Sequence, residues 1–284
     1  MVVESYEHQA LNRSAAALQQ GALEPLGTQQ TPLQGQSSNL FELRELTTDL
    51  PRHLRMAGPK PNPFLPWDPR LEVSPVGNAH ALILNKYPVQ RGHMLLVTRQ
   101  WAAQGDWLNQ ADWQALRDVD AVTTGLWFFN SGPDAGASQP HRHIQLLPRH
   151  PGEKACPREP WFLERLQGNV IPSHHHAFAV EAATAVRARD PDQQDQAAHL
   201  ESIYVSLCQD LALGNQATDQ RPNAPYNLLL TRRWMALVRR RQDGVHGFSI
   251  NSLGFAGYLL ATKDSDRDWL KSHGPDQLLA GVVA

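Results

Sequence analysis

Two histidines one residue apart, His141 and His143, are followed at the next alternate position by Gln145 in the stretch HRHIQ. Side chains at i, i+2 and i+4 of a β-strand share one face. The spacing therefore predicts two imidazoles and an amide aimed at one volume, with Arg142, Ile144 and Leu146 on the reverse. Three kinds of chemistry are open to such a pair. It can ligate zinc or copper, given one or two further ligands; the candidates are His150 and the run His174–His176. No HExxH and no Cys pair accompanies them, and glutamine is a poor zinc ligand. It can be a satisfied structural pair, the default for an isolated HxH, but that leaves the loop before it unexplained. Or an imidazole can attack phosphorus.

The loop favours phosphorus. Residues 132–139 read GPDAGASQ. Glycine lets backbone N–H groups converge on an anion without a Cβ clash, and Ser138 and Gln139 can donate side-chain hydrogen bonds to phosphate oxygens. Neutral imidazole is a good nucleophile toward phosphorus, and the resulting P–N bond stays reactive. One hard transfer then becomes two easier ones. For the attacking nitrogen to be unprotonated, the other must donate its proton to a fixed acceptor, such as a backbone carbonyl.

The elements that must position these groups can be read from hydrophobic spacing. A helix is predicted around Tyr6–Leu18, then a polar loop from Gly21 to Asn39 and a short segment, FELREL. The proline-rich stretch GPKPNPFLPWDPRLEV excludes regular helix or central strand and reads as an extended segment laid across a surface. Residues 79–85 and 93–98 are apolar strand-length runs around a turn marked by Pro88 and Gly92. Asn109 caps a helix whose apolar face runs through Trp113, Leu116, Val119, Val122 and Leu126. WFFNSG and HRHIQLL then read as strands. Residues 149–198 look loop-rich. A second helix is predicted over roughly 196–213, with Gly214 at its C′ position and Cys208 on its buried stripe. YNLLLT and MALVRR form another strand pair, followed by a turn at QDGVHG, the segment SINSLGFAG and a last helix near Ser265–His273. The fold class is α+β, a mainly antiparallel sheet with packed helices. A faint echo between HALILN…HMLLVT and YNLLLT…MALVRR suggests two related sheet units. The expected organisation is an N-terminal extension over 1–50, a catalytic region over 51–198 and a C-terminal region over 199–284.

Composition narrows the class. A chain of 284 residues with 41% hydrophobic and 19% charged residues has enough apolar material for a real core. A net charge of −2 supplies no basic field to recruit nucleic acid. No apolar run approaches the ~20 residues of a membrane span, and the N-terminus has neither a signal-peptide nor a transit-peptide pattern. Two cysteines, neither in a CxxC, fit a reducing compartment. The expectation is a cytoplasmic protein.

The blocks PKPNPFLPWDP, LNKYPVQRGHMLLVTR, FNSGPDAGASQPHRHIQLLP, PYNLLLTRRWMALV and INSLGFAG, in this order, resemble the histidine-triad superfamily. They resemble its HxHxQ branch, which holds galactose-1-phosphate uridylyltransferase and the diadenosine tetraphosphate (Ap4A) phosphorylases, also called ATP adenylyltransferases. The likeness to the second group spans nearly everything after residue 55. It implies a HIT-like, uridylyltransferase-like fold and reversible phosphorolysis, Ap4A plus phosphate giving ATP plus ADP, through an AMP–histidine intermediate. By the same resemblance His143 is the nucleophile, and His141 positions the phosphate or the nucleophile's ring. Gln145 stands where hydrolases of the superfamily place a third histidine. An amide is no general acid or base, which suits transfer to phosphate better than hydrolysis. Asn130, Ser131, Gly136, Ala137, Ser138 and Gln139 would line the phosphate path. Asn85 and Lys86 would lie near the nucleotide and Lys60 on the polyphosphate. Asn227, Thr231, Met235 and Arg239 would form a second substrate-facing strand. No protein metal site and no tightly bound cofactor is expected; Mg2+ or another divalent ion would accompany the polyphosphate, and the expected assembly is a monomer or small homo-oligomer. The uridylyltransferases' structural zinc site and their proline between the two histidines are both missing here, where Arg142 takes the proline's place. Sugar-1-phosphate uridylyl transfer, a non-catalytic Ap4A sensor and a metal-dependent hydrolase remain the rivals.

Four further features carry alternatives. Arg142 reads as a solvated or ion-paired residue on the reverse face, and His93 as a core or hydrogen-bonded histidine. Arg239 and Arg241, in RRWMALVRRR, could grip polyphosphate or line a solvated edge. Phe64 and Trp67 could stack on adenine or anchor the proline-rich segment.

Overall fold

The computed structural model describes residues 5–33, 38–48, 62–150, 152–168, 175–193 and 196–284. The chain opens with helix α1 (Tyr6–Gln19), in which Ala10, Ser14 and Ala17 face inward at helical spacing; such small residues let it lie close on its neighbours. Strands β1 (Thr28–Thr31) and β2 (Glu42–Leu46) follow. Next come β3 (Glu72–Val76), β4 (His80–Leu84), β5 (Met94–Thr98), helix α2 (Gln110–Asp120), β6 (Gly125–Asn130) and β7 (His143–Pro148). Helices α3 (Glu159–Leu166) and α4 (His175–Ala182) lead to β8 (Thr184–Ala188), helix α5 (Ala197–Asp210), β9 (Tyr226–Leu230) and β10 (Trp234–Arg239). A two-residue hairpin, β11 (Gly244–Val245) and β12 (Phe248–Ser249), precedes α6 (Ser252–Ala256), β13 (Tyr258–Ala261), α7 (Arg267–His273) and α8 (Pro275–Ala280).

One eight-stranded sheet, ordered β3-β4-β5-β7-β6-β9-β10-β8, forms the centre, and every neighbouring pair in it is antiparallel. A smaller sheet, β1-β2-β13, joins β2 to β13 in parallel. The two sequence echoes, β4–β5 and β9–β10, are antiparallel pairs in the same continuous sheet, so they do not build separate sheets. Apolar side chains cover both faces. Leu96, Ile144, Leu146, Leu228 and Leu237 pack with Trp113 of α2 and Leu207 of α5 on one side. Phe128, Leu147, Leu229 and Trp234 pack with Phe162 of α3 and Phe255 of α6 on the other. Central strands buried on both faces read as continuous apolar runs such as LILN and LLLT, without polar alternation. Each large side chain so buried contributes roughly 1.5–3 kcal/mol. Among the described residues no helix is long and apolar enough to cross a membrane.

Helix α2 begins as expected, with a complete capping box between Asn109 and Asp112. It ends at Asp120, short of the predicted Val122 and Leu126. Asp120 accepts a hydrogen bond from Trp127 Nε1 at 3.0 Å, and the Val-Thr-Thr-Gly stretch disfavours helix, so Leu126 enters β6 instead. The loop-rich reading of 149–198 missed α3, α4 and β8, each too short to show a clear period. Within the predicted polar loop 21–39, the wholly polar β1 pairs with β2. Helix α5 stops at Asp210, and the left-handed residue after its cap is Ala212 at φ 50°, not Gly214. Part of SINSLGFAG forms α6, and α8 follows the helix predicted as the last.

Candidate active site

His143 is the first residue of β7 and is buried, opposite Val97 of β5. Its Nδ1 lies 2.8 Å from the carbonyl oxygen of His141. A carbonyl can only accept, so Nδ1 carries the proton and Nε2 presents the lone pair. Burial pushes the His143 pKa down to about 4; the His141 carbonyl opposes that shift, and the His141 ring adds to it. At neutral pH the imidazole is therefore uncharged, with its proton on Nδ1 and its Nε2 bare.

The His141 ring is occupied on both sides. Its Nε2 lies 2.9 Å from the Thr98 carbonyl and its Nδ1 2.9 Å from Asn62 Nδ2. Nε2 must then donate to Thr98, and Nδ1 accepts from the Asn62 amide. Burial lowers this imidazole's pKa as well. With both nitrogens taken, His141 has no lone pair for a metal, which removes one member of the HxH ligand pair. Its part is played by its main chain, through the carbonyl that fixes His143. Phe64 packs against both rings, at 5.6 Å from His141 and 5.3 Å from His143, so the two imidazoles do share one side. Trp67 is an anchor, donating to Glu72 Oε2 at 2.9 Å.

Gln145 is half-buried, and its Oε1 lies 3.1 Å from His93 Nε2. His93 Nδ1 accepts from the Val89 N–H at 3.4 Å and from Asn85 Nδ2 at 3.3 Å, so the His93 proton sits on Nε2 and is given to Gln145. This orients the amide, leaving Gln145 Nε2 as the donor end. Burial pushes the His93 pKa down to about 3, keeping it neutral. Asn85 thus acts through His93. Lys86 is exposed and pairs with Glu24 at 3.0 Å, which raises its pKa.

Residues 133–135 form a 3-10 turn before the motif. Gly136 is left-handed at φ +83°, and a Cβ there would meet Asn251 Cβ at 2.7 Å. The N–H groups of Ala135 and Ala137 donate to the Gly132 carbonyl, and that of Gly136 to Pro133. They are spent inside the loop, so the predicted anion nest is not formed by these three groups. At the loop's exit Ser138 is exposed, whereas Gln139 is half-buried with its Oε1 enclosed. Leu147, two residues beyond Gln145 on the same strand face, and Ser138 border a cavity of about 550 Å³ that is also lined by Glu42, Pro88, Asn251 and Tyr258. Such a volume suits a nucleoside.

Other predicted residues are placed elsewhere. Asn130 and Asn227 are buried and bound to one another: Asn130 Oδ1 accepts from Asn227 Nδ2 at 2.8 Å and from the Ser252 N–H at 2.9 Å, and Arg240 donates to Asn227 Oδ1 at 2.5 Å. Ser131 Oγ accepts the Tyr226 N–H at 2.7 Å. These three side chains hold the loop's base instead of lining a phosphate path. Thr231 closes the β9–β10 turn, Met235 is buried in the core on the opposite sheet face, and Arg239 donates to the Leu211 carbonyl at 3.1 Å. The structure does not bring them to His143, because alternation along β10 sends Met235 and Arg239 to the α5 side. Lys60 and His174 lie outside the described residues. Arg142 is ion-paired, 2.8 Å from Asp112, and buried. Asn62, Phe64, Thr98 and His93 meet the motif from distant segments, and no sequence spacing flags the first and third.

The Ap4A phosphorylase N-terminal domain model matches residues 3–163, and the ATP adenylyltransferase C-terminal domain model matches residues 170–284. Diadenosine 5',5'''-P1,P4-tetraphosphate phosphorylase 2 of Saccharomyces cerevisiae is 29% identical over 231 residues, covering 72% of this chain and 70% of the relative. Protein APA1 of the same yeast is 28% identical over 203 residues, covering 66% and 62%. The crystal structure of yeast Ap4A phosphorylase Apa2 with AMP superposes with a TM-score of 0.73 at 24% identity, over 99% of this chain and 97% of that one. The same protein with Ap4A gives 0.72 at 24% identity, over 100% and 98%. At that identity the superpositions speak for the fold.

Proposed function

The chain belongs to the Ap4A phosphorylase family, and on that premise we propose that it catalyses the reversible phosphorolysis of Ap4A through an adenylylated His143. His143 Nε2 attacks an α-phosphorus. The bond from that phosphorus to the bridging oxygen breaks, ATP leaves with the electron pair, and AMP remains on nitrogen. Inorganic phosphate then attacks the same phosphorus, releasing ADP and restoring the imidazole. The observation that carries this reading is the hydrogen bond from His143 Nδ1 to the His141 carbonyl, which presents an unprotonated Nε2.

Gln145 Nε2 would donate to an α-phosphate oxygen, with Ser138 and Gln139 adding donors. Fixed donors of this kind supply much of the stabilisation in such transfers. Since an amide cannot deprotonate water, phosphate is the favoured acceptor. The cavity beside Ser138 and Leu147 would seat one adenosine. The reading includes no tightly held cofactor; Mg2+ or another divalent ion would come with the polyphosphate and offset its charge.

Incubation with Ap4A, with and without phosphate, tests the reading. ATP and ADP formed only with phosphate support it; ATP and AMP without phosphate mean hydrolysis. Binding without product means a sensor, and turnover of a UDP-sugar means uridylyl transfer. Intact mass should show an added AMP that is missing in His143→Asn. Full activity in that variant would overturn the mechanism.

A further inference from the structure

Strand β7 pairs with β5 as far as Val97 opposite His143, but with β6 only as far as Phe128 opposite Gln145. Two more steps of that register would set Asn130 against His143. The ladder stops before this point, although Asn130 still pairs with Asn227 on its other side. The gap beside His143 is filled by one side chain, the amide of Gln104, which is only 2% exposed. Its Oε1 accepts the His143 N–H at 2.8 Å. Its Nε2 donates to the carbonyl of Asn130 at 2.7 Å and to that of His143 at 3.2 Å.

Gln104 therefore stands in for a peptide unit. Of the uncharged side chains of this length, only a primary amide offers an acceptor and two donors together. The strip that carries it is itself fixed: the Gln104 N–H donates to the Pro140 carbonyl and the Arg142 N–H to the Ala102 carbonyl, both at 2.8 Å, and Ala103 bridges His141. Residues 140–143 are thus held at Pro140, Arg142 and His143. The His141–Arg142 peptide, which lies between the first and last of these, bears the carbonyl that accepts the hydrogen bond from His143 Nδ1–H.

We propose that Gln104 is a positioning residue for adenylyl transfer, holding the His141–His143 backbone so that the His141 carbonyl keeps the nucleophile in its Nδ1–H tautomer. The proposal rests on the reading of His143 as nucleophile. Its reasoning is geometric: a ring set by one carbonyl is only as well aimed as that carbonyl, and misplacement by about 1 Å can cost on the order of 100-fold in rate.

Gln104→Glu keeps the shape but turns an oxygen toward two carbonyl oxygens; when protonated it regains a donor. Near pH 8, kcat for Ap4A phosphorolysis should fall about 100-fold, while AMP affinity by calorimetry stays within about threefold. Lowering the pH toward about 5.5 should recover part of that loss, because a carboxyl facing carbonyls is protonated well above the usual carboxylate range. Gln104→Met should stay low at every pH. Unchanged kcat in both variants, or a fall that only follows AMP affinity with no recovery at low pH, overturns the proposal. Should neither variant fold, hydrogen exchange in the parent protein decides it: the Gln104 side-chain NH2 must be protected like a β7 amide, and exchange at the rate of an open amide overturns it. A parent that does not turn over Ap4A sinks the functional reading instead. Gln104 is then judged by the His143 tautomer, read by long-range 1H–15N NMR, which must scramble in Gln104→Met.

Discussion

The Nδ1 atom of His143 and the carbonyl oxygen of His141 lie 2.8 Å apart, so the first histidine of the pair sets the proton of the second through its main chain. The side chain of His141 is engaged elsewhere, with Thr98 and Asn62. What an HxH spacing gives this site is a carbonyl at the right distance.

Activity should survive into acid. Burial holds the His143 pKa down at about 4, so its Nε2 stays unprotonated well below the usual imidazole range, as the proposed attack requires. The kcat/KM of phosphorolysis should show no loss from His143 near pH 6.5 and should decline as pH approaches about 4. An acid limb centred near the ordinary histidine value, and abolished with His143, would contradict this.

Stability should fall in the same direction. His143 and His93 have folded values of about 4 and about 3 against 6.5 for an open histidine. Their neutral forms favour folding fully above the unfolded value, and this contribution is lost as pH drops from about 6.5 toward the folded values. At pH 5 each should cost roughly 1–2 kcal/mol. Urea midpoints at pH 7.5 and 5 measure it, and His93→Gln should make the decline shallower.

Asp112 ties α2 to the motif strand, at 2.9 Å from His80 and 2.8 Å from Arg142, all three buried. Asp112→Asn leaves the Arg142 cation without its counter-charge, and should destabilise by about 3–5 kcal/mol. Asp118→Asn, at the surface of the same helix, should cost no more than about 1 kcal/mol. Denaturant unfolding of the pair gives the comparison.

Gln145→Glu keeps an acceptor for His93 but loses the donor, and it adds a negative charge where the proposed reaction would seat an α-phosphate. The kcat for Ap4A phosphorolysis should drop by roughly 100-fold or more, the usual loss of an oxyanion donor. Near-parental turnover would show that the amide nitrogen does not meet the substrate.

Cys156 and Cys208 are buried, and burial pushes both thiols up to about 12. A thiol reagent at pH 8 should label neither in the folded protein and both after denaturation. Rapid labelling of the native chain would mean that one of these packed regions opens.

The helices at α1, α2 and α5, most of the sheet strands and the face shared by His141 and His143 were legible because each is a local pattern. Alternation, helical spacing and an Asn–Asp capping box are written within a dozen residues. Short elements such as α3, α4 and β8 carry too few positions to show a period. The substrate-facing strand expected at Thr231, Met235 and Arg239 failed for another reason. Alternation says which residues share a face but not which face meets the site, and β10 turns these toward α5.

By itself the sequence determined the nucleophile candidate, the glycine-containing loop that precedes it and the family, since these rest on residue types at fixed short spacings. Only the tertiary structure decided what surrounds them. Asn62, Thr98, His93 and Gln104 reach the motif from segments far along the chain, and their roles follow from hydrogen-bond directions that exist only once β5, β6 and β7 lie side by side. Asn130, Ser131 and Asn227 look like ligand residues in the sequence and are buried supports in the fold, because a polar side chain shows its partner only when both ends are in place.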